Sequence, residues 1–371
     1  MTDSVSRPVF LATDPLTVTT DCIALFESTL GKTLEPAQVE RLLVNAMAYR
    51  ESLLRMDVQR TGEQCLVAFA TGTNLERLAD LVGVTRLVNV KATVTVRFTL
   101  STVQGTDVAI AAGTRVKTYD EAWLFEVTTT SKIAAGNLYA DIECEAQVAG
   151  SAQNRYTAGQ IATLVDPIVG VASVANTTTS TGGVDTETDD ALRERCRLAP
   201  YRFGTAGSYG AYRFWALSAG AWVVDAKVTS PTPGNIQVAV LTNQGEPTAD
   251  QLQAVEDILT DETVRPITDT VTVIAANQID YDIDVELTLY TGQDSTSVSA
   301  AVTTALEALA QTRRVRLGLD ITPAQILAAV LTVPGIYDAT LNDPTGPVVA
   351  DDGDWLNLDD LTVTVTGTAN G

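Results

Sequence analysis

Val90-Lys-Ala-Thr-Val-Thr-Val-Arg-Phe-Thr-Leu100 changes the character of the chain. Val94, Val96 and Phe98 fall on one face, and Thr93, Thr95, Arg97 and Thr99 on the other. A strand turns successive side chains to opposite faces, so this stretch reads as a half-buried strand. Everything before it reads as helical. From Pro36 to about Phe69 the apolar residues Val39, Leu42, Leu43, Ala46, Leu53 and Leu54 recur at helical spacing, and Pro36 suits a first turn. Arg41, Arg50, Arg55 and Arg60 alternate with Glu40, Glu51 and Asp57, as on a solvated or interface-facing surface. Gly62 is expected to break or kink this helix. A further helix is expected over Asn74–Val82, with Asn74 as N-cap and Gly83 as its stop.

After Val90 come short strands: Val108–Ala111 and Thr114–Thr118 about a tight turn at Gly113, then Leu124–Thr130, Leu138–Val148, Gln160–Leu164 and Val171–Ala175. Glycines at 136, 150, 159 and 170 mark the turns. Asn176-Thr-Thr-Thr-Ser-Thr-Gly-Gly183 reads as a polar linker. Behind it, Asp185 to Arg197 carries acids first and bases last, the order that complements a helix dipole. A helix over Gly207–Ser218 follows, then strands at Trp222–Val228 and Asn235–Leu241 about a Pro231–Gly234 turn. The remainder alternates: helix Asp250–Leu259, strands Asp269–Ala275 and Ile279–Tyr290, helices Ser295–Thr312 and Pro323–Leu331, and strands Gly335–Leu341 and Leu361–Val365. The expected fold is therefore α+β and multidomain: a helical segment 1–89, a β-rich domain 90–180, and α+β blocks 181–276 and 277–371. Their element order suggests two related, ferredoxin-like units.

Composition bounds what such a chain does. Of 371 residues, 45% are apolar, enough for sizeable cores, and 46 acids against 24 bases leave a net charge of −22. A nucleic-acid groove or an anionic membrane surface calls for clustered Lys and Arg, so neither partner is expected. A partner with basic patches suits the charge. No apolar run reaches the length of a membrane helix, and Met1–Leu16 lacks the apolar core of a secretory signal, so synthesis in a cytoplasm is expected. Histidine is absent, which removes the commonest general base and zinc ligand. Cys22, Cys65, Cys144 and Cys196 are far apart and read as buried small hydrophobes.

Several constellations have both a functional and a plain reading. Asp280, Asp282, Asp284 and Glu286 alternate with Tyr281, Ile283, Val285 and Leu287. The carboxylates form an edge-strand or solvated face, an acidic docking face, or a metal site. Same-face residues on a strand stand roughly 6.6 Å apart, too far to converge on one ion unaided. Asp351-Asp-Gly-Asp354 lacks the spacing of a calcium loop, and the eight Asp after Leu317, with no Lys or Arg among them, suit an acidic surface in an assembly. Ser180–Gly183 lacks the Lys of a phosphate loop, and Gly204-Thr-Ala-Gly207 reads as a flexible lead into a helix. Tyr201, Phe203, Tyr209, Tyr212, Phe214, Trp215 and Trp222 read chiefly as a core-facing stripe, with a partner interface or a ligand platform as alternatives. No catalytic, cofactor or metal residue is assigned.

Five segments in order resemble the baseplate J-like family of contractile tails. They are Ala70–Arg86 with Asn74-Leu-Glu-Arg-Leu-Ala79, Ile110-Ala-Ala-Gly-Thr114, Ala146–Asn154, Gly182-Gly-Val-Asp-Thr-Glu-Thr-Asp-Asp-Ala-Leu-Arg-Glu-Arg195, and Gly207–Leu217. The resemblance implies a non-enzymatic wedge subunit in a virion tail baseplate, assembled in the host cytoplasm. Paired copies would bundle their N-terminal helices with a partner wedge protein. C-terminal domains would link neighbouring wedges into a ring around the hub, touching hub and sheath-initiating proteins and rearranging on contraction. The Gly/Thr/Ser stretch 176–183 and the turns at Pro231 and Pro266 are the expected hinges. A carbohydrate-active tail enzyme using two carboxylates, or a receptor-binding adhesin module, are the alternatives.

Overall fold

The computed structural model describes residues 6–204 and 207–370, which form two compact units. The first comprises residues up to Arg86 together with 188–199, and the second comprises 87–187 and everything from Pro200.

Four helices make the first unit: α1 Pro15–Leu30, α2 Val39–Gln64, α3 Gly72–Leu81 and α4 Asp189–Leu198. The Asp14 carboxylate accepts the Thr17 N–H and Pro15 fills the first turn, so Asp14-Pro15 starts α1. α2 begins at Val39, three residues after Pro36, and runs through Gly62 without a break. Gly62 serves another purpose, because a Cβ there would stand 2.7 Å from the Phe10 ring. α3 is capped by Thr71, not Asn74, whose side chain instead donates to Gln64. Gly83, at φ 65°, does stop it.

In the second unit, residues 87–187 carry β1 Thr93–Leu100, β2 Val108–Ile110, β3 Arg115–Thr118, β4 Leu124–Val127, β5 Ser131–Ile133, β6 Tyr139–Ala146, β7 Ile161–Leu164 and β8 Val171–Asn176. Six of these form an antiparallel sheet in the order β7-β3-β4-β6-β1-β8. Its two ends meet: Asn176 Oδ1 accepts the Ile161 N–H at 2.8 Å and Asn176 O accepts the Gly159 N–H at 2.9 Å. The sheet thus closes into a small barrel through one asparagine. Val94, Val96, Phe98 and Leu100 alternate into its core beside Phe125, Ile142 and Cys144. Burying each of the large side chains contributes about 1.5–3 kcal/mol. The two strands flanking Gly113 do not pair with one another as expected. β2 pairs with β5, and β3 pairs with β4 and β7, so Gly113 carries the chain from one sheet to the other.

Stretch 176–183 is no free linker or hinge. Thr181 bridges Thr93, Ser180 is fully buried, and the Asn176 amide donates to the carbonyls of Tyr156, Thr157 and Thr178.

The rest of this unit holds α5 Tyr209–Leu217, β9 Val223–Thr232, β10 Asn235–Thr242, α6 Ala249–Leu259 and β11 Thr270–Ala275, then β12 Asn277–Tyr290, α7 Ser295–Arg314, α8 Pro323–Leu331, β13 Ile336–Asp343 and β14 Asp354–Ala369. The sheets are β11-β10-β9 and β13-β12-β14, each with one antiparallel and one parallel pair. The α+β class is as expected, but the two blocks connect differently: the middle strand is the second of its block in one, β10, and the first in the other, β12. Three strands apiece is one fewer than a ferredoxin-like unit, because no second crossover adds a fourth. The blocks are joined firmly. The Trp355 ring lies against Gly245, the Leu317 N–H donates to Asp225 at 3.0 Å, and Lys227 pairs with Asp352 at 2.7 Å. Pro266 is no looser: its ring lies against Gly207 and its carbonyl accepts the Asp269 N–H. Pro231 sits at the exposed end of the β9–β10 hairpin.

Candidate functional site: an outward apolar face

The first unit buries the wrong side of its longest helix. Val44, Ala48 and Ser52, spaced i, i+4, i+8, form the buried stripe of α2, which packs against α1, where Val18 is the fully buried residue. Arg41 and Arg55 flank that stripe, donating to the Leu34 carbonyl and pairing with Glu51. The large apolar residues point the other way. Val39, Leu42, Leu43, Met47, Leu53, Leu54 and Val58 are all exposed, Leu43 by 58% and Leu54 by 60%. At 100° per residue they span an arc of roughly 160° opposite the buried stripe. Leu16, Leu25 and Leu30 of α1 are exposed as well. Arg50, Asp57 and Arg60 lie among the apolar residues of α2, so the face is amphipathic. An exposed apolar surface on this scale marks an interaction site.

A short N-terminal segment is strapped along the end of α2. Arg7 makes two hydrogen bonds of 2.7 Å to the Glu63 carboxylate. The Gln59 amide donates to the Pro8 carbonyl and accepts from the Phe10 N–H. The Arg7 guanidinium holds the Glu63 carboxyl below its ordinary range.

The motif residues turn out to be architectural. In the first unit Asp189 accepts the Gly72 N–H at 2.9 Å and pairs with Arg86 at 2.6 Å. The Gly72 bond, and then Arg86, depress its pKa. Arg193 pairs with Asp190 and donates to the carbonyls of Val67 and Ala70, while Arg195 donates to Thr85 O. These bonds tie α4 to α3 and the loop before it. In the second unit Asp185 accepts from the Ser151 hydroxyl and N–H, and Glu187 accepts the Leu87 N–H. The Tyr212 hydroxyl donates to Asp269 at 2.7 Å, where burial raises its pKa. Thr205 and Ala206, within the expected flexible lead into α5, lie outside the described residues.

The remaining sequence constellations are placed as follows. Tyr281, Ile283, Val285 and Leu287 are buried, and the four carboxylates between them line the opposite face. That face lies on the middle strand of its sheet, not on an edge, because β13 and β14 flank β12. Among the described residues no group of three or more His, Cys, Asp or Glu is placed to hold a metal ion. Among them, too, no helix is long and apolar enough to cross a membrane. The aromatic group splits: Tyr212 and Phe214 are buried, whereas Tyr201, Phe203 and Tyr209 are exposed. The cysteines split likewise. Cys144 and Cys196 are buried, Cys22 is half-buried and Cys65 is exposed just beyond α2; burial pushes the Cys144 thiol up to about 12. Periodicity locates the apolar face of α2 without saying what covers it.

Helical, barrel and two α+β blocks in series, with the motif's polar residues engaged in internal ties, define a multidomain α+β protein. Four family models match along the chain: the baseplate J-like N-terminal domain at residues 39–93, the barrel domain at 95–183, the central domain at 204–275 and the C-terminal domain at 281–364. The chain belongs to the baseplate J-like family. It is 39% identical over 165 residues to baseplate protein J of Escherichia phage P2, a match covering 44% of this chain and 54% of that protein. A cryo-EM structure of the six-fold symmetrised anti-feeding prophage baseplate aligns with 93% of the chain and 90% of its own, at 14% identity and a TM-score of 0.45.

Proposed function

We propose that this protein is a structural, non-catalytic subunit of the baseplate of a contractile tail or related injection particle, and so resides in the virion tail. The observation that carries this reading is the apolar face of α2, turned away from the protein's own core. Each Å² of apolar surface removed from water contributes about 25 cal/mol, so helices left in this state gain by bundling with other helices. The natural occupants are a second copy and a partner wedge protein. Residues 1–89 form the bundling block in this reading. Residues 90–180 and 181–276 act as spacers, and residues 277–371 link neighbouring subunits into a ring around the hub. Tight joining of Trp355 to Gly245 favours movement of whole blocks over bending within the second unit.

The test is co-expression of the full chain with the other tail proteins, followed by particle purification and electron microscopy. The expected result is density for this chain in the baseplate, with α2 inside an intermolecular helical bundle. Intact particles that lack the chain, or that contain it with α2 facing solvent, overturn the reading.

A further inference from the structure

The end of α7 gathers buried donors that no acceptor of the chain meets. Among the described residues, six buried side-chain nitrogen or oxygen atoms lack a hydrogen-bond partner, and four of them are Arg313 Nε, Arg314 Nε, Trp355 Nε1 and the Tyr281 hydroxyl. Every nitrogen of the six is here, and each carries an N–H that only donates. Trp355 and Tyr281 are themselves deeply buried, at 2% and 6% exposure. The Arg314 guanidinium stands 5.7 Å from the Trp355 ring and donates to Gln244 O at 3.2 Å. Gly245 permits this packing, since a Cβ there would stand 3.0 Å from the Trp355 ring and 3.5 Å from Arg314. Arg313 lies by the other buried group: burial pushes the Tyr281 hydroxyl up to about 12, and the Arg313 charge draws it back.

The charges here are unmet as well. Arg313 and Arg314 are half-buried and Arg316 is exposed, and none of the three forms an ion pair. Yet acids outnumber bases 46 to 24, and Arg86, Arg97, Arg115 and Arg213 all find carboxylates. Carboxylates do border the chain just after α7, but each is taken. Asp225 holds Arg213 and the Leu317 N–H, Asp352 beside Gly318 pairs with Lys227, and Asp354 accepts from the Asn277 amide. Arginines in a last turn complement the helix dipole, but that role uses only their charge and leaves the buried Nε donors unmet.

We infer that the end of α7 is a binding site for one small phosphate-type dianion, held by the arginines at 313, 314 and 316 with the Trp355 N–H as a neutral donor beside Arg314. The planar arginine fork matches phosphate oxygens, and charge-assisted bonds of this kind are the strong ones. Size is set by the surroundings. Asp351, Asp352 and Asp354 border the cluster and repel an extended polyanion, so a nucleic acid or an anionic membrane does not suit it, whereas a compact dianion does. The site is independent of the proposed baseplate role.

The experiment is isothermal titration of the full chain with inorganic phosphate, at an ionic strength held constant with sodium chloride, and separately with acetate. Phosphate is expected to bind saturably at one site, and acetate about tenfold or more weakly, having one charge and fewer acceptors. Glycerol phosphate in a third titration separates the sources: binding as tight as phosphate assigns the site to a monoester group, and weaker binding assigns it to the free ion. Arg314→Gln should weaken phosphate binding about tenfold or more. Trp355→Phe keeps a ring against Gly245 and removes only the N–H donor, and Arg316→Gln alters an exposed side chain; both should weaken binding while leaving the fold intact, so they decide the matter if Arg314→Gln does not fold. Arg60→Gln, on an exposed arginine of α2, should bind phosphate like the parent. No saturable phosphate binding, acetate binding as tight as phosphate, a Trp355→Phe chain that binds like the parent, or an Arg60→Gln chain weakened as much as Arg316→Gln overturns the site.

Discussion

Asn154 holds Gly183 by both sides of its backbone: its Nδ2 donates to Gly183 O at 2.8 Å, and its Oδ1 accepts the Gly183 N–H at 2.9 Å. The two residues come from separate motifs 29 positions apart. A Cβ at position 183 would stand 2.2 Å from Gly150 O and 2.9 Å from Asn154 Oδ1, so the backbones dock only because position 183 carries no side chain. Gly183→Ala should cost about 1–3 kcal/mol through overpacking. Asn154→Ala leaves a half-buried N–H and C=O without partners, at about 1–3 kcal/mol. Urea unfolding of the two single variants and the double variant checks this. The shared site predicts a double-variant loss smaller than the sum of the singles.

The two faces of α2 should answer substitution in opposite ways. Leu43→Gln, Met47→Gln and Leu54→Gln lie on the exposed arc, so each should change the stability of the isolated chain by no more than about 0.5 kcal/mol. Combined, they should improve solubility and abolish incorporation into baseplates. Ala48→Leu forces a large side chain into the fully buried stripe packed on α1 and should cost about 1–3 kcal/mol. Thermal unfolding of the isolated chain, set beside a pull-down with co-expressed tail proteins, separates the two effects.

Where structure follows from local pattern, the sequence was readable. Val94, Val96 and Phe98 point inward because alternation forces them to one side. Gly83 stops its helix because only a left-handed residue closes that turn without strain. Failures came where a partner lies far away in the chain. Gly113 sits in what looks like a hairpin, yet Val116 pairs with Phe125 and Leu164, choices made by the closed barrel. Asn176 and Ser180 are polar because their side chains complete buried hydrogen bonds across the barrel seam, while Thr177–Thr179 between them stay exposed. α4 joins the helical unit because Arg193 reaches back to Val67 and Ala70, over 120 residues away. Asn176 shows the general difficulty: its role exists only once both ends of the sheet are in place.

Acid should loosen the barrel through Asp166. Its carboxylate accepts the Arg115 guanidinium at 2.8 and 3.0 Å and the Arg115 N–H at 3.0 Å. These bonds hold its pKa down to about 2. The ordinary carboxyl value in an unfolded chain is about 3.9, so the folded form binds its proton less readily. The stabilisation is therefore fully present above pH ~4 and is lost as pH falls towards ~2. Asp185, depressed by Ser151, acts in the same direction. Urea midpoints at a series of pH values should show Asp166→Asn less stable than the parent at neutral pH, with the gap closing in acid. A gap that stays constant down to pH ~2 removes the role assigned to the Arg115 pair.

The acidic face of β12 should be a source of strain relieved by amides. Asp284 lies directly opposite Asp343 in the β12–β13 ladder, a like-charge pair that opposes strand pairing. Asn342 answers it, donating from one amide nitrogen to Asp284 at 3.2 Å and to Glu286 at 3.1 Å. On the other side Asn357 donates to Asp280 at 2.8 Å, and the Asp360 N–H donates to Asp282 at 3.1 Å. Neutral donors on both neighbouring strands thus help these carboxylates share one surface. Asp343→Asn should stabilise the chain by about 0.2–1 kcal/mol, and Asn342→Ala should destabilise it. Added salt should shrink the Asp343→Asn gain, because screening weakens repulsion between exposed charges. Thermal melts of the parent and both variants at low and high ionic strength measure this. A gain from Asp343→Asn that is unchanged by salt assigns it to packing rather than charge.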